Sequence, residues 1–299
     1  MSYPALAFIG FGEAGQALAA GFRAEGVTAI AAWDVLFPDG QGGARLRAAA
    51  ERIGVRMGRD SADAVRGADI VFSAVTAASN LEAAREAAPG LSVSQFYVEL
   101  NSVSPNRKRE AGAIVGERAR FIGMAVMAPV HPLRQKTPVL ISGPAAKELL
   151  PLLKRCGMEV EEVGADVGAA AAIKMVRSVM VKGLGALTQE CFLAARRAGV
   201  EDRIIASLTQ SYPMIDWAKF ADYNLERMAT HGLRRAAEMR DVCETLESLG
   251  VEPALTRGTV IREQRTGEAQ LKQKFGGTVP QDRAAILDAL TAQDREPLV

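Results

Sequence analysis

The stretch 168–198 constrains the fold most, because it is the longest unbroken helical pattern in the chain and contains no proline. At about 1.5 Å per residue it would span roughly 46 Å as a helix, which is more than the width of a small domain. A rod of this length predicts two domains that share it. The total length of 299 residues favours the same division.

The few polar residues on this helix are grouped on one side. Lys174, Ser178 and Lys182 follow one another at helical spacing, with Arg177 beside them on a surface of Ala, Val, Met and Leu. Cations this close repel one another, which favours an uncharged lysine until an anion arrives. The pattern indicates a basic catalyst for an anionic substrate. It is equally typical of a long core helix whose lysines reach toward solvent.

Overall charge and composition exclude several classes of function. Lys and Arg total 36 against 35 Asp and Glu, so no bulk field attracts nucleic acid or an anionic membrane. The three cysteines and two histidines lack the spacing of a disulfide framework or a metal site, so we expect neither. The sequence has no signal-peptide pattern and no long apolar run, which predicts a cytoplasmic protein that acts on small molecules.

A glycine-rich turn follows the first apolar stretch and precedes a helical pattern. Its first glycine permits the tight turn, its second lets the backbone approach a pyrophosphate, and its third lets helix and strand pack closely. The start of the helix then directs unpaired N–H groups at the phosphates. The predicted dinucleotide-binding residues are Gly10, Phe11, Gly12, Glu13, Ala14 and Gly15.

An acid at the end of the second predicted strand bears on the choice of cofactor. Asp34 is placed to accept hydrogen bonds from the adenosine ribose, and its charge would repel a 2′-phosphate. No arginine follows directly, although Arg45 and Arg47 lie within reach of that phosphate. We therefore predict NAD, with NADP left open. Val75 and Thr76, after a later strand, are expected along the cofactor.

Strands and helices alternate through the first half of the chain and give way to helices alone. This predicts a doubly wound, mostly parallel sheet in an NAD(P)-binding domain over 1–164. An all-helical domain for substrate binding and dimerisation is predicted over 165–299. In it, separate helices over 215–228 and 235–249 flank a turn at His231. The last part of the chain indicates a loose tail or dimer arm, with one short helix at 283–291.

With these motifs in order, the sequence resembles the β-hydroxyacid dehydrogenase superfamily, which includes 3-hydroxyisobutyrate and 6-phosphogluconate dehydrogenases. FIGFGEAGQALAAGF resembles the cofactor signature, ELNSVSP the substrate loop (usually D-x-S-T-x-x-P), and APV at 128–130 the next motif. Lys174 then falls at the catalytic lysine. HGLRRAAEM at 231–239 is similar to the 6-phosphogluconate branch.

The sequence departs from the family pattern at several positions. Asn101 and Ser102 replace Ser-Thr, His131 replaces the start of a Ser-Gly-Gly turn, and Ser178 replaces an asparagine. The lysine of a later K-D-L motif, which lies near the nicotinamide in typical members, aligns with Ala237 and is missing. These differences leave the substrate unassigned.

The resemblance implies an NAD(P)-dependent dehydrogenase in which Lys174 takes the hydroxyl proton of a small hydroxy acid, with decarboxylation as an open second step. The predicted substrate-binding residues are Asn101, Ser102, His131, Arg177, Ser178, Lys182, His231 and Arg234. Asn101 is also expected near the cofactor. Cations exceed what one carboxylate needs, so we predict a dicarboxylate or a sugar acid, with a phosphorylated compound as a further option.

Two other functions remain open. One is a reductase of the same fold that acts on an imine or a semialdehyde, and the other is a non-catalytic NAD-binding sensor, which the missing K-D-L lysine favours. The helical domain has a larger apolar surface than one Rossmann domain can cover, so we also expect a homodimer or a higher homo-oligomer.

Overall fold

The computed structural model describes residues 3–292. The chain forms two compact units that divide between Lys174 and Met175. This division lies within the long helix, whereas the sequence placed the domain boundary before the helix, at 164. Among the helices that the structure describes, none has the length and apolar character needed to cross a membrane.

A single sheet of eight strands forms the centre of the first unit. Its strands are β1 (Leu6–Ile9), β2 (Ile30–Trp33), β3 (Arg56–Met57), β4 (Ile70–Ser73), β5 (Phe96–Glu99), β6 (Arg120–Val126), β7 (Val139–Ser142) and β8 (Val160–Glu162). Their spatial order is β3-β2-β1-β4-β5-β6-β7-β8. Every neighbouring pair is parallel except β6 with β7. The predicted doubly wound, mostly parallel sheet is therefore confirmed.

Both faces of the sheet are buried, which explains why its strands read as continuous apolar runs. On one face Phe8 stacks on Phe72 with ring centroids 5.3 Å apart, and Phe22 of the first helix stacks on Phe72 at 5.5 Å. On the other face Tyr97 stacks on Phe121 at 5.9 Å. The helices of this unit are α1 (Glu13–Ala24), α2 (Gln41–Ile53), α3 (Ser61–Val65), α4 (Asn80–Ala87), α5 (Pro105–Val115) and α6 (Ala146–Arg155).

Local capping signals fix the start of α5, next to the predicted substrate loop. The Ser104 hydroxyl accepts a hydrogen bond from the Arg107 amide at 3.4 Å, and Pro105 occupies the first turn. Helix α2 was not identified from sequence, because its first turn contains Gly42 and Gly43, which weaken a helical pattern.

The second unit continues the long helix and is otherwise helical. Its elements are α7 (Ala169–Ala198, shared with the first unit), α8 (Glu201–Ser211), α9 (Trp217–Ser248), α10 (Ala254–Glu268), α11 (Leu271–Lys274) and α12 (Arg283–Thr291). The predicted turn at His231 is wrong, since α9 is continuous there. A Cβ on Gly232 would lie 2.6 Å from the backbone of Glu263 and Gly267, so this glycine permits close packing of α9 on α10 rather than a turn.

The C-terminal segment is better packed than the predicted loose tail. Val279, Ile286 and Leu287 are buried in a core with Phe192 and Leu225 of the long helices. Arg196 of α7 binds Asp288 of α12 through two hydrogen bonds of 2.8 and 2.7 Å. The predicted helix at 283–291 is confirmed, and the remainder of the predicted tail, 293–299, lies outside the described residues.

Candidate active site

The glycine-rich turn has the backbone geometry that a dinucleotide site needs. Gly10 has φ +89°, and a Cβ there would collide with the carbonyl of Ala74. A Cβ on Gly15 would lie 2.6 Å from the carbonyl oxygen of Gly10, whereas one on Gly12 would meet no protein atom within 4 Å. Helix α1 begins at Glu13 with no side chain capping it. Free space and uncapped N–H groups therefore coincide where a phosphate would bind.

Asp34 braces this turn from the end of β2. Its two carboxylate oxygens accept hydrogen bonds from the amides of Phe11, at 2.7 Å, and Leu36, at 3.0 Å. A carboxylate has about four acceptor positions, so two remain for ribose hydroxyls. The sequence predicted the ribose contact and missed the brace.

The arginines that could favour NADP differ in their surroundings. Arg47 donates hydrogen bonds to the carbonyls of Phe37 and Asp39 in the loop that precedes its own helix. Its guanidinium is therefore committed to the backbone, while Arg45 is exposed.

The predicted substrate loop begins where β5 ends, at the carboxyl edge of the sheet. The Asn101 amide N–H donates to Glu99 Oε1 at 3.0 Å, and Asn101 Nδ2 donates to the same oxygen. Asn101 Nδ2 also lies 3.4 Å from Ser73 Oγ at the end of β4. Among the described residues, Asn101 Oδ1 is buried with no hydrogen-bond partner. A buried orphan acceptor at this edge suits a ligand that carries an N–H or O–H group.

Lys174 and Ser102, far apart in sequence, meet in the first unit. Lys174 Nζ donates a hydrogen bond to Ser102 Oγ, and both side chains are half-buried. Helix α7 supplies the lysine and the loop after β5 supplies the serine. An amine and a hydroxyl in this arrangement can relay a proton to a substrate oxygen that lies beside them.

In the second unit, the predicted anion-binding cations have carboxylate partners. Lys182 is buried, donates to Ser178 Oγ at 3.2 Å and pairs with Glu238 Oε2 at 2.9 Å. Arg234 pairs with the other oxygen of Glu238 at 2.8 Å. Glu238 therefore offsets positive charge that was predicted to bind substrate.

The remaining predicted substrate residues differ in burial. His231 is half-buried on α9, and burial together with Arg227 and Arg234 lowers the pKa of its imidazole. The lowered pKa favours the neutral imidazole, which weakens the prediction that His231 binds an anion through positive charge. His131 and Arg177 are exposed.

Along the expected cofactor path, Val75 is half-buried and Thr76 is exposed. Thr76 Oγ1 hydrogen-bonds Ser79 Oγ at 2.9 Å, which closes the turn after β4.

Three charged residues that hold the predicted site residues in place, Glu99, Lys108 and Glu238, were not predicted from sequence. Glu99 stands at the aspartate position of the substrate-loop motif, at the end of an apolar strand, which was one usable signal. Lys108 lies within the basic run NRKRE, where nothing in the sequence separates it from the other charged residues. Glu238 stands at the aspartate of the K-D-L alignment, which was a usable signal. Glu99 and Lys108 are buried against each other, and Glu238 is partly buried against Lys182.

Two family models match parts of the chain. Residues 5–101 match the model of NADP oxidoreductases that depend on coenzyme F420. Residues 195–265 match a domain of unknown function, DUF1932.

Solved structures match over nearly the full length. A conserved hypothetical protein from Sinorhizobium meliloti is 37% identical with a TM-score of 0.79, and the match covers 98% of this chain and 97% of that one. The conserved protein MTH1747, described as structurally similar to 3-hydroxyacid dehydrogenases, is 30% identical with a TM-score of 0.72, covering 89% of this chain and 98% of that one. The chain belongs to the β-hydroxyacid dehydrogenase superfamily.

A more distant member of the superfamily shares the fold. The 3-hydroxyisobutyrate dehydrogenase of Mycobacterium tuberculosis, solved with L-serine, is 15% identical with a TM-score of 0.72, and the match covers 96% of this chain and 99% of that one. The chain thus has the fold of NAD(P)-dependent oxidoreductases, as the sequence predicted.

Proposed function

We propose that this protein is an NAD-dependent dehydrogenase that oxidises the hydroxyl of a small hydroxy acid. The observation that carries the proposal is the hydrogen bond from Lys174 Nζ to Ser102 Oγ, which supports a role for this amine as the base beside the polar loop at the carboxyl edge of the sheet. Bound NAD would accept the hydride.

The residues of the first unit fit a dinucleotide. The space in front of Gly12 admits a pyrophosphate, the first turn of α1 supplies N–H groups, and the Asp34 carboxylate keeps two acceptor positions for the ribose. The same carboxylate disfavours a 2′-phosphate, which supports NAD over NADP.

Lys174 and Ser102 would share the handling of the substrate proton. In the proposed reaction Lys174 acts as the base that takes the proton from the substrate hydroxyl, while Ser102 orients the amine and the substrate oxygen. The orphan oxygen of Asn101 accepts a hydrogen bond from the ligand and fixes its position. Arg177 is exposed and Ser178 is buried beside Lys182, and their contacts with substrate stay predictions from the sequence.

The charge pattern favours a substrate with one carboxylate over a substrate with several. Lys182 and Arg234 share Glu238, and Lys136 pairs with Glu25 at 3.1 Å, so the cation surplus that suggested a dicarboxylate or a phosphorylated sugar acid is reduced. We therefore expect the best substrate to be a monocarboxylic hydroxy acid.

A substrate panel tests this function. NADH formation is measured with monocarboxylic hydroxy acids, dicarboxylic hydroxy acids, sugar acids and phosphorylated sugar acids, with NAD and NADP in parallel. Turnover of one hydroxy-acid class with NAD supports the proposal. Turnover only of imines or semialdehydes with reduced cofactor would replace it with the reductase, and NAD binding without any turnover would favour a sensor.

We also propose that two copies of the chain associate through α7. On the part of this helix in the second unit, Val176, Met180, Leu184 and Leu187 are 48%, 63%, 39% and 63% exposed and follow one another at intervals of three and four. An apolar stripe of this kind on a surface helix is typical of an interface.

A further inference from the structure

A fully buried ion pair lies beneath the predicted substrate loop. Lys108 of α5 pairs with Glu99 at the end of β5, and their side chains are 1% and 0% exposed. Burial lowers the pKa of Lys108, and the Glu99 carboxylate opposes that shift. Neither residue belongs to the proposed catalytic or cofactor-binding groups.

The Lys108 ammonium ties three parts of the first unit together. It donates to the backbone carbonyl of Glu99 at 2.7 Å and to that of Met124 in β6 at 3.0 Å, in addition to the ion pair with Glu99 Oε2. Two hydrogen bonds to backbone carbonyls and one ion pair thus hold the ammonium. The end of β5 is held from α5 and from the neighbouring strand.

Glu99 passes this constraint to the substrate loop. Its other oxygen, Oε1, accepts both the backbone N–H and the Nδ2–H of Asn101. These two bonds fix the backbone turn and the amide orientation of Asn101, and with them the direction of its buried Oδ1. Ser102, the hydroxyl that contacts Lys174, is the next residue.

We infer that Glu99 and Lys108 are a positioning pair for the reaction, setting Asn101 and Ser102 against Lys174. A buried ion pair is seldom the most stable filling of a core, because apolar residues of similar size often do as well or better. What apolar residues cannot supply is the acceptor that holds Asn101. This inference rests on the proposed dehydrogenase function.

Two double variants separate positioning from simple packing. Glu99→Leu with Lys108→Met removes both charges and the acceptor for Asn101. Glu99→Gln with Lys108→Met also removes both charges but keeps an amide oxygen at the acceptor position. We expect kcat to fall about 10- to 100-fold in the first variant, since misplacement of reacting groups by about 1 Å costs that much. The variant with Glu99→Gln and Lys108→Met should recover most of the lost kcat.

Gln95, at the opposite end of β5 from Glu99, provides a matched control. Gln95, just before β5, is 3% exposed and donates to the carbonyls of Val65 and Ala68, both at 2.7 Å. Gln95→Met should lower the melting temperature at least as much as either double variant, with kcat within about two-fold of wild type. Equal kcat in the two double variants, or loss of kcat that follows melting temperature through all three proteins, would overturn the inference.

Amide hydrogen exchange tests the same inference without turnover. We expect the Asn101 amide to exchange at least about tenfold faster in the Leu/Met variant and near the wild-type rate in the Gln/Met variant. Unchanged exchange in the Leu/Met variant would contradict the positioning role. If the wild-type protein turns over no substrate, the proposed function fails, and the exchange result still decides whether the pair holds the loop.

Discussion

At the scale of single residues, neighbouring polar side chains of one loop have separate tasks. Ser102 Oγ contacts Lys174 in the candidate site, whereas Ser104 Oγ accepts the Arg107 amide and caps α5. Because both residues are serines and lie close in sequence, the same substitution at each separates the effect on catalysis from the effect on stability.

We predict that Ser102→Ala lowers kcat, whereas Ser104→Ala lowers stability. The first should lower kcat about 10- to 100-fold with little change in the free energy of unfolding, because it removes the hydroxyl beside Lys174. The second should cost about 1 kcal/mol of stability through loss of the cap and leave kcat nearly unchanged. Steady-state kinetics and urea unfolding on both variants check this. A loss of kcat in Ser104→Ala that matched Ser102→Ala would show that the loop acts only through its overall stability.

Asp34 gives a second prediction, on cofactor choice. Asp34→Asn keeps an acceptor for the Phe11 amide but removes the charge that repels a 2′-phosphate. We expect the ratio of kcat/KM for NAD to that for NADP to fall on the order of tenfold, which corresponds to about 1.4 kcal/mol. An unchanged ratio would mean that Asp34 only braces the turn and that the preference is set elsewhere.

At the scale of elements, the start of α7 matters because this helix carries Lys174. Asp166 precedes the helix, accepts the Gly168 amide at 3.1 Å and binds Arg109 of α5 through two hydrogen bonds. The bond to Arg109 is the first cause, and the Gly168 amide the second, of a lowered pKa for the Asp166 carboxyl. The pair thus fastens the first turn of α7 to the helix after the substrate loop.

The lowered pKa predicts a pH-dependent effect of Asp166→Asn. The asparagine keeps an acceptor for the Gly168 amide but loses the ion pair, whose stabilisation is present above the pKa of an unfolded aspartate and disappears as pH falls through the folded pKa. Since both side chains are about half exposed, we expect a loss of no more than about 1 kcal/mol at neutral pH. Melting curves should show that the difference from wild type vanishes in acid. A difference that grew in acid would contradict the assignment.

Elements with strong local signals were predicted from sequence, and those governed by tertiary contacts were not. The strands, the cap of α5 and α12 follow from apolar runs and capping residues. The false turn at His231 arose because Gly232 serves the close approach of α10, which lies far along the chain. Likewise, Lys174 and Ser102 were both predicted as site residues. Their buried neighbour Glu99 stands at the aspartate position of the substrate-loop motif, which was a usable signal, whereas Lys108 carries no local signal that separates it from surface charges.

At the scale of the whole molecule, the exposed apolar stripe on α7 requires an explanation. Within the second unit, Met180 and Leu187 are each 63% exposed on a helix whose other faces are packed. Exposed apolar residues that occur singly are ordinary, but a regular row along several turns is typical of association. A second copy of the chain is the occupant that we propose.

We predict that the wild-type protein is a dimer in light scattering at micromolar concentration. Met180→Asp should shift the mass to that of one chain, because a charge in the middle of the stripe would have to be buried. Leu255→Asp is the matched control, since Leu255 lies on α10 and is 83% exposed; it should leave the dimer intact. A wild-type monomer, or equal dissociation by both substitutions, would rule out the α7 interface.

The proposed function is tested most directly by the turnover of Lys174→Met on the best substrate of the hydroxy-acid panel, with NAD affinity measured on the same protein. Lys174 ends the first unit beside Ser102 and does not belong to the glycine turn or to the Asp34 brace. We predict that kcat falls by about 10²- to 10⁴-fold, as for loss of a general base, while the Kd for NAD stays within about two-fold. Near-normal kcat in this variant would contradict the central role of Lys174.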